Sequence, residues 1–96
     1  MRLDVPGEHK RAQREFYCVQ FSNSLGVRGV VTFKFQKGSR TKTKTQTVRA
    51  RVGFTCVTWM PSKKWPKGRT TVTAAFAPTP NTEFTAAKLR DQVKIR

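Results

Sequence analysis

The chain has 96 residues, with 20 Lys or Arg against five Asp or Glu, for a formal net charge of +15. That length allows one modest core with little room for a deep pocket, and no run of roughly 18 apolar residues exists to span a bilayer as a helix. One histidine and two distant cysteines, without CxxC or HxxxH spacing, argue against a metal site, and no cofactor is expected.

Met1 to Glu15 is polar, with Pro6-Gly7 and mixed charges, and reads as a basic arm or short helix ahead of a single β domain over 16–96. It lacks a hydrophobic signal core. The protein is therefore expected to stay where it is made, in the cytoplasm or inside a virion or ribonucleoprotein particle, and not to be secreted. "FYCVQF" (Phe16 to Phe21) is a compact strand, and "SNSLG" breaks it with turn residues. In a reducing cytoplasm Cys18 and Cys56 would be free thiols, each a small buried residue in an apolar run.

"GVVTFKFQ" (Gly29 to Gln36) alternates Val31, Phe33 and Phe35 with Thr32, Lys34 and Gln36. The loop "KGSR" (Lys37 to Arg40) turns it into "TKTKTQTV", so the two strands form a β-hairpin. Thr41, Thr43, Thr45 and Thr47 share one face of the second strand. Arg40, Lys42, Lys44 and Gln46 share the other, which turns apolar at Val48, Ala50 and Val52. Such a strand packs its base on the core and leaves a cationic tip in solvent. Pairing Gln36 with Thr41 sets Phe35 across from Lys42, Phe33 from Lys44 and Lys34 from Thr43. The alternative register would oppose Lys34 and Lys44, and like charges directly opposite are destabilising. Gly53 would mark a bulge or bend before "FTCVTWM" (Phe54 to Met60).

"PSKKWPKG" (Pro61 to Gly68) is a loop, and "RTTVTAAFA" (Arg69 to Ala77) is a strand with Val72, Ala74 and Phe76 on one side. After "PTPN", the tail 82–96 is expected to be a helix capped by Asn81 or Thr82, with Ala86, Leu89 and Val93 as its buried stripe. The fold class is mainly β, a small antiparallel barrel or sandwich of four to five strands, with a protruding basic hairpin and this C-terminal helix.

The acids are Asp4, Glu8, Glu15, Glu83 and Asp91, leaving none between Phe16 and Thr82. Twelve cations fill that interval: Arg28, Lys34, Lys37, Arg40, Lys42, Lys44, Arg49, Arg51, Lys63, Lys64, Lys67 and Arg69. Cations without local acids repel one another, so a polyanion is expected to supply the balancing charge. Nucleic acid is the leading candidate, and an anionic membrane or cell-wall polymer competes. A single-strand binder combines phosphate-tracking cations with aromatic stacking platforms. Phe35, nearer the hairpin tip than Phe33, and Trp65, between lysines, are the aromatic candidates, with core packing as the competing role for each. Trp59 reads as core. The candidate nucleic-acid set is these twelve cations with Phe35 and Trp65.

The expected function is thus nucleic-acid binding, DNA or RNA, largely electrostatic and weakly sequence-selective, with single strands slightly favoured and no enzymatic activity. His9 beside Glu8 could in principle cleave RNA by acid–base chemistry, but an exposed histidine in a charged arm reads more simply. No Gly-rich phosphate loop, RRM aromatic signature, zinc knuckle, KH loop or helix-turn-helix is present.

The stretch Val57 to Phe76, through Trp59, Pro61, Trp65, Pro66, Gly68, Val72 and Thr73, resembles a strand–loop–strand of bacterial immunoglobulin-like domains. The resemblance covers about a fifth of the chain. It implies a sandwich fold and, as a second function, a structural or assembly module, such as a virion or surface component, that could form homo-oligomers.

Overall fold

Alternating burial along the chain produces strands almost throughout. A computed structural model describes residues 1–21, 27–48, 54–80 and 86–96. The strands are β1 (Arg2–Asp4), β2 (Glu8–His9), β3 (Glu15–Gln20), β4 (Gly29–Lys37), β5 (Arg40–Val48), β6 (Phe54–Trp59), β7 (Gly68–Pro78) and β8 (Ala87–Ile95). They form two sheets, ordered β1-β3-β6 and β2-β8-β7-β4-β5. Every pairing is antiparallel except a short parallel bridge between β2 and β8. The mainly β expectation holds, but the described residues form eight strands in two sheets of three and five rather than four to five strands. Among the described residues no pairing closes a barrel, and there is no helix.

The hairpin register follows the charge argument: Gln36 faces Thr41, Phe35 faces Lys42, Lys34 faces Thr43 and Phe33 faces Lys44. Lys37 pairs with Arg40, leaving Gly38 and Ser39 as the turn. Gly38 has φ 58° and Ser39 has no positive φ, which is the requirement of a type II′ hairpin turn. The hairpin does not protrude, however. The other side of β4 pairs with β7 as far as Gln36, and Lys37 Nζ donates to the Arg69 carbonyl at 3.2 Å.

The expected C-terminal helix is a strand. β8 pairs with β7 from Ala87 to Ile95, burying Val93 and Ile95 while Lys88, Arg90, Gln92 and Lys94 face solvent. Val93 and Ile95 keep a two-residue beat, but exposed Asp91 occupies the same phase and hides it. The helix stripe through Leu89 and Val93 fits the same letters by coincidence of spacing. The proposed caps Asn81 and Thr82, the expected bend at Gly53, and Ala50 and Val52 lie outside the described residues. The stretch read as an arm also contributes to both sheets, β1 lying against β3 and β2 against β8.

The core joins Tyr17, Val19, Val57 and Trp59 of the small sheet to Val31, Phe33, Phe35, Val72, Ala74, Phe76, Val93 and Ile95 of the large one. Its centre is aromatic. Phe35 stacks on Trp59 with centroids 4.2 Å apart, and Tyr17 meets Phe35 edge-on at 4.8 Å. Trp65 folds back from its loop to meet Trp59 at 5.0 Å and donates its indole N–H to Thr70 Oγ1 at 2.9 Å. Gly29 lets β4 and β7 close up, because a Cβ there would come within 3.0 Å of the Ala77 carbonyl, the Phe76 ring and Pro78 Cα.

The expectation of free thiols is overturned. Cys18 and Cys56 face each other across β3 and β6 and are bonded as a disulfide, with Cα atoms 4.1 Å apart. The sequence hides this because the partners are 38 residues apart and become neighbours only through strand pairing.

Reducing this bond is expected to lower the free energy of unfolding by about 2–4 kcal/mol, since it closes a long loop in the unfolded chain. Urea titrations with and without reductant measure the shift. Gly29→Ala should cost about 1–3 kcal/mol through overpacking. An unchanged denaturation midpoint would contradict the close β4–β7 approach.

Candidate nucleic-acid interface

The small sheet has three strands and the large one five, so the inner face of the edge strand β5 is only partly covered. Val48 is buried at its base, Lys44 is half-buried, and Lys42 and Arg40 are exposed towards the turn. The Lys44 ammonium donates to the Thr58 carbonyl of β6, tying the two edge strands together through a side chain. Beyond that tie lies a groove of about 460 Å³ lined by Arg14, Arg40, Lys42, Lys44, Met60 and Ser62, with Trp59 and Trp65 beneath. Among the described residues, four cations and no carboxylate line it. A partly enclosed site of one sign concentrates the field and draws in counter-ions.

A second cationic groove, of about 470 Å³, lies between Lys10, Arg11, Lys63, Lys67 and Arg96. Arg11 is committed there to the backbone, donating to the Lys63 carbonyl at 2.8 Å, and Arg96 pairs with Glu8 at 3.0 Å. The outer face of the large sheet is a third surface. Lys34 shares it with Lys88, Arg90, Thr71 and Thr73. Among the described residues, the ion pairs are Arg2–Asp4 and Arg96–Glu8, both exposed. None of the described cations from Arg28 to Arg69 takes part in one.

The predicted cations therefore divide. Arg40, Lys42 and Lys44 converge in the first groove. Lys63 and Lys67 converge in the second, with Lys64 exposed in the same loop. Lys34 and exposed Arg69 belong to β4 and β7 of the large sheet, Lys37 is held by its bond to the Arg69 carbonyl, and Arg28 is exposed at the far end of β4. Arg49 and Arg51 lie outside the described residues. Arg14 was missed, because only the β3–β6 pairing carries it to the hairpin groove.

The two aromatic candidates do not serve as stacking platforms. Phe35 is fully buried against Trp59 and Tyr17, and Trp65 is 6% exposed with its indole N–H already bonded. Core packing wins at both. In the case of Phe35 the reason is that β4 lies inside the sheet and its inner face is roofed by the small sheet.

His9 is not an exposed residue of a charged arm. It is 1% exposed, with Nδ1 2.6 Å from the Tyr17 hydroxyl and Nε2 2.6 Å from the Gln13 carbonyl. A carbonyl only accepts, so Nε2 carries a proton, and in the neutral ring the Tyr17 hydroxyl donates to Nδ1. The turn that presents Gln13 includes Ala12 at φ 63°, pinned by its N–H to the Pro61 carbonyl at 2.7 Å. Both ring nitrogens are occupied inside the core, which makes the histidine a structural strut. Among the described residues, no three His, Cys, Asp or Glu side chains cluster to hold a metal. Among the described residues no helix is long and apolar enough to cross a membrane.

No protein-family model matches the chain, and no curated protein matches it.

Burial, and secondarily the Glu15 carboxylate, hold the Tyr17 hydroxyl well above its usual value near 10. The unfolded chain loses this proton near pH 10 and the folded chain keeps it. The contribution is therefore complete below pH 10 and declines above it, by up to about 1.4 kcal/mol per pH unit. Tyr17 is the chain's single tyrosine. Tyrosinate absorbance in an alkaline titration should thus appear together with loss of the fold. Ionisation near pH 10 with the fold intact would contradict the buried donor role.

Proposed function

We propose that the protein binds nucleic acid, chiefly through its phosphates, in the groove of Arg14, Arg40, Lys42 and Lys44. The observation that carries this reading is the convergence, among the described residues, of four cations and no carboxylate at one partly enclosed rim. Arg40 and Lys42 are exposed and make no ion pair among the described residues, so an incoming phosphate displaces no internal partner. Ser62, exposed in the groove, adds a hydroxyl donor of the kind that accompanies Arg and Lys on phosphate oxygens. Binding of this type is weakly selective in sequence, because phosphate contacts position a protein without reading bases. The second groove, at Lys63 and Lys67, would extend the path of the polymer.

The Cys18–Cys56 disulfide supports an oxidising setting, such as the exterior of a cell or a released particle, over the reducing cytoplasm. A second reading, an assembly module, is supported by the two-sheet sandwich and by exposed Phe54 and Met60 on the small sheet. Its signature is self-association: a light-scattering mass well above the 11.0 kDa monomer without nucleic acid.

Titrating labelled oligonucleotides at several salt concentrations tests the main reading. Affinity should fall steeply with salt, and Arg40→Ala or Lys42→Ala should each reduce the log–log slope by about 0.7–0.9. Lys34→Ala, on the opposite face of the large sheet, should leave that slope nearly unchanged. Absence of binding at low salt removes the proposal.

A further inference from the structure

Phe16 is 66% exposed, more than any other large apolar side chain among the described residues. Strand alternation puts it on the outer face of the small sheet, while Tyr17 and Val19 enter the core. A lone exposed apolar residue needs no explanation, but the position of this one is specific. Phe16 pairs with Thr58, the residue whose carbonyl receives Lys44 and which lines the cationic groove. Glu15 pairs with Trp59, so the next residues at that end, Arg14 and Met60, flank Phe16, and both line the groove. Met60 is itself 53% exposed. The Glu15 side chain belongs to the opposite face of its strand, and Asp4, across from Cys18, is occupied by Arg2 at 3.3 Å.

An exposed ring beside a row of cations is the pairing that single-strand binders use, and Phe16 stands one strand spacing, about 5 Å, from β6, whose Thr58 carbonyl holds Lys44 of β5. Resting on the nucleic-acid reading above, we propose that Phe16 is the base-stacking platform of this groove. The ligand class is then single-stranded nucleic acid. Its bases lie on Phe16 beside Met60 while its phosphates run past Arg14, Arg40 and Lys42. A duplex, whose base faces are already stacked on each other, cannot use the ring.

The test is an anisotropy titration at one fixed low salt with three probes: a single strand with ordinary bases, an abasic strand of the same length and a duplex. Wild type should bind the base-bearing strand about tenfold more tightly than the abasic one. Phe16→Ala should erase that difference while leaving abasic-strand affinity and the salt slope intact, and Phe16→Trp should preserve it. Equal binding of base-bearing and abasic strands by wild type overturns the stacking role and leaves the phosphate reading standing. No binding of any probe overturns both. A preference that survives Phe16→Ala, or a lower light-scattering mass of Phe16→Ala with the preference intact, makes the ring a self-association contact and rejects the proposal.

Discussion

The stacking of Phe35 on Trp59 holds the arrangement together. It is a contact between the two sheets, and Tyr17, His9 and Trp65 pack around it at centroid separations of 4.8 to 5.8 Å. Rings this large bury much area each and prefer offset or edge-on contacts, which fixes how the sheets sit on one another. The consequence for function is indirect. The small sheet is centred over Phe35, so β5 extends past the roof and its inner-face cations emerge at the rim. The aromatics best placed to form the core are thereby unavailable to a ligand, and what remains at the groove's rim is charge, Ser62, Met60 and the neighbouring Phe16.

Electrostatic repulsion works against this compact state, since the excess of cations is not neutralised internally. Burial of a small core offsets it only in part, because a short chain leaves much of its surface in water. The disulfide acts on the other side of the equilibrium, limiting how far the self-repelling unfolded chain can expand. The His9–Tyr17 pair contributes differently: two polar side chains enter the core fully satisfied, so neither incurs the desolvation cost of an unpaired group.

Local patterns were legible in the sequence, whereas pairings between distant segments were not. The β4–β5 register could be read because a short glycine-bearing loop and one like-charge clash decide it between neighbouring strands. Val72, Ala74 and Phe76 declared the inner face of β7 by plain alternation. In β8 a single aspartate in the inward phase broke the beat, and a helical stripe fitted equally well. The roles of His9 and of the two cysteines depend on partners 8 and 38 residues away, which no short window contains. The groove was half legible: Arg40, Lys42 and Lys44 were visible as a row, but Arg14 reaches them only through β3 and β6. Phe16 carried a signal of its own, since it is out of phase with Tyr17 and Val19, and that phase marks an outward residue.

The side-chain tie from Lys44 to the Thr58 carbonyl has a colloidal consequence. β5 and β6 are both edge strands, the kind of backbone onto which another copy can add. Here the guard against such addition is mostly electrical: Arg40 and Lys42 stand along β5, and Lys44 occupies an acceptor of β6. Any polyanion that neutralises these side chains also lowers the barrier between copies. Solubility and occupancy by any such polyanion are therefore opposed in this fold, and near charge balance the protein and an added polyanion should condense together, redissolving when either is in excess.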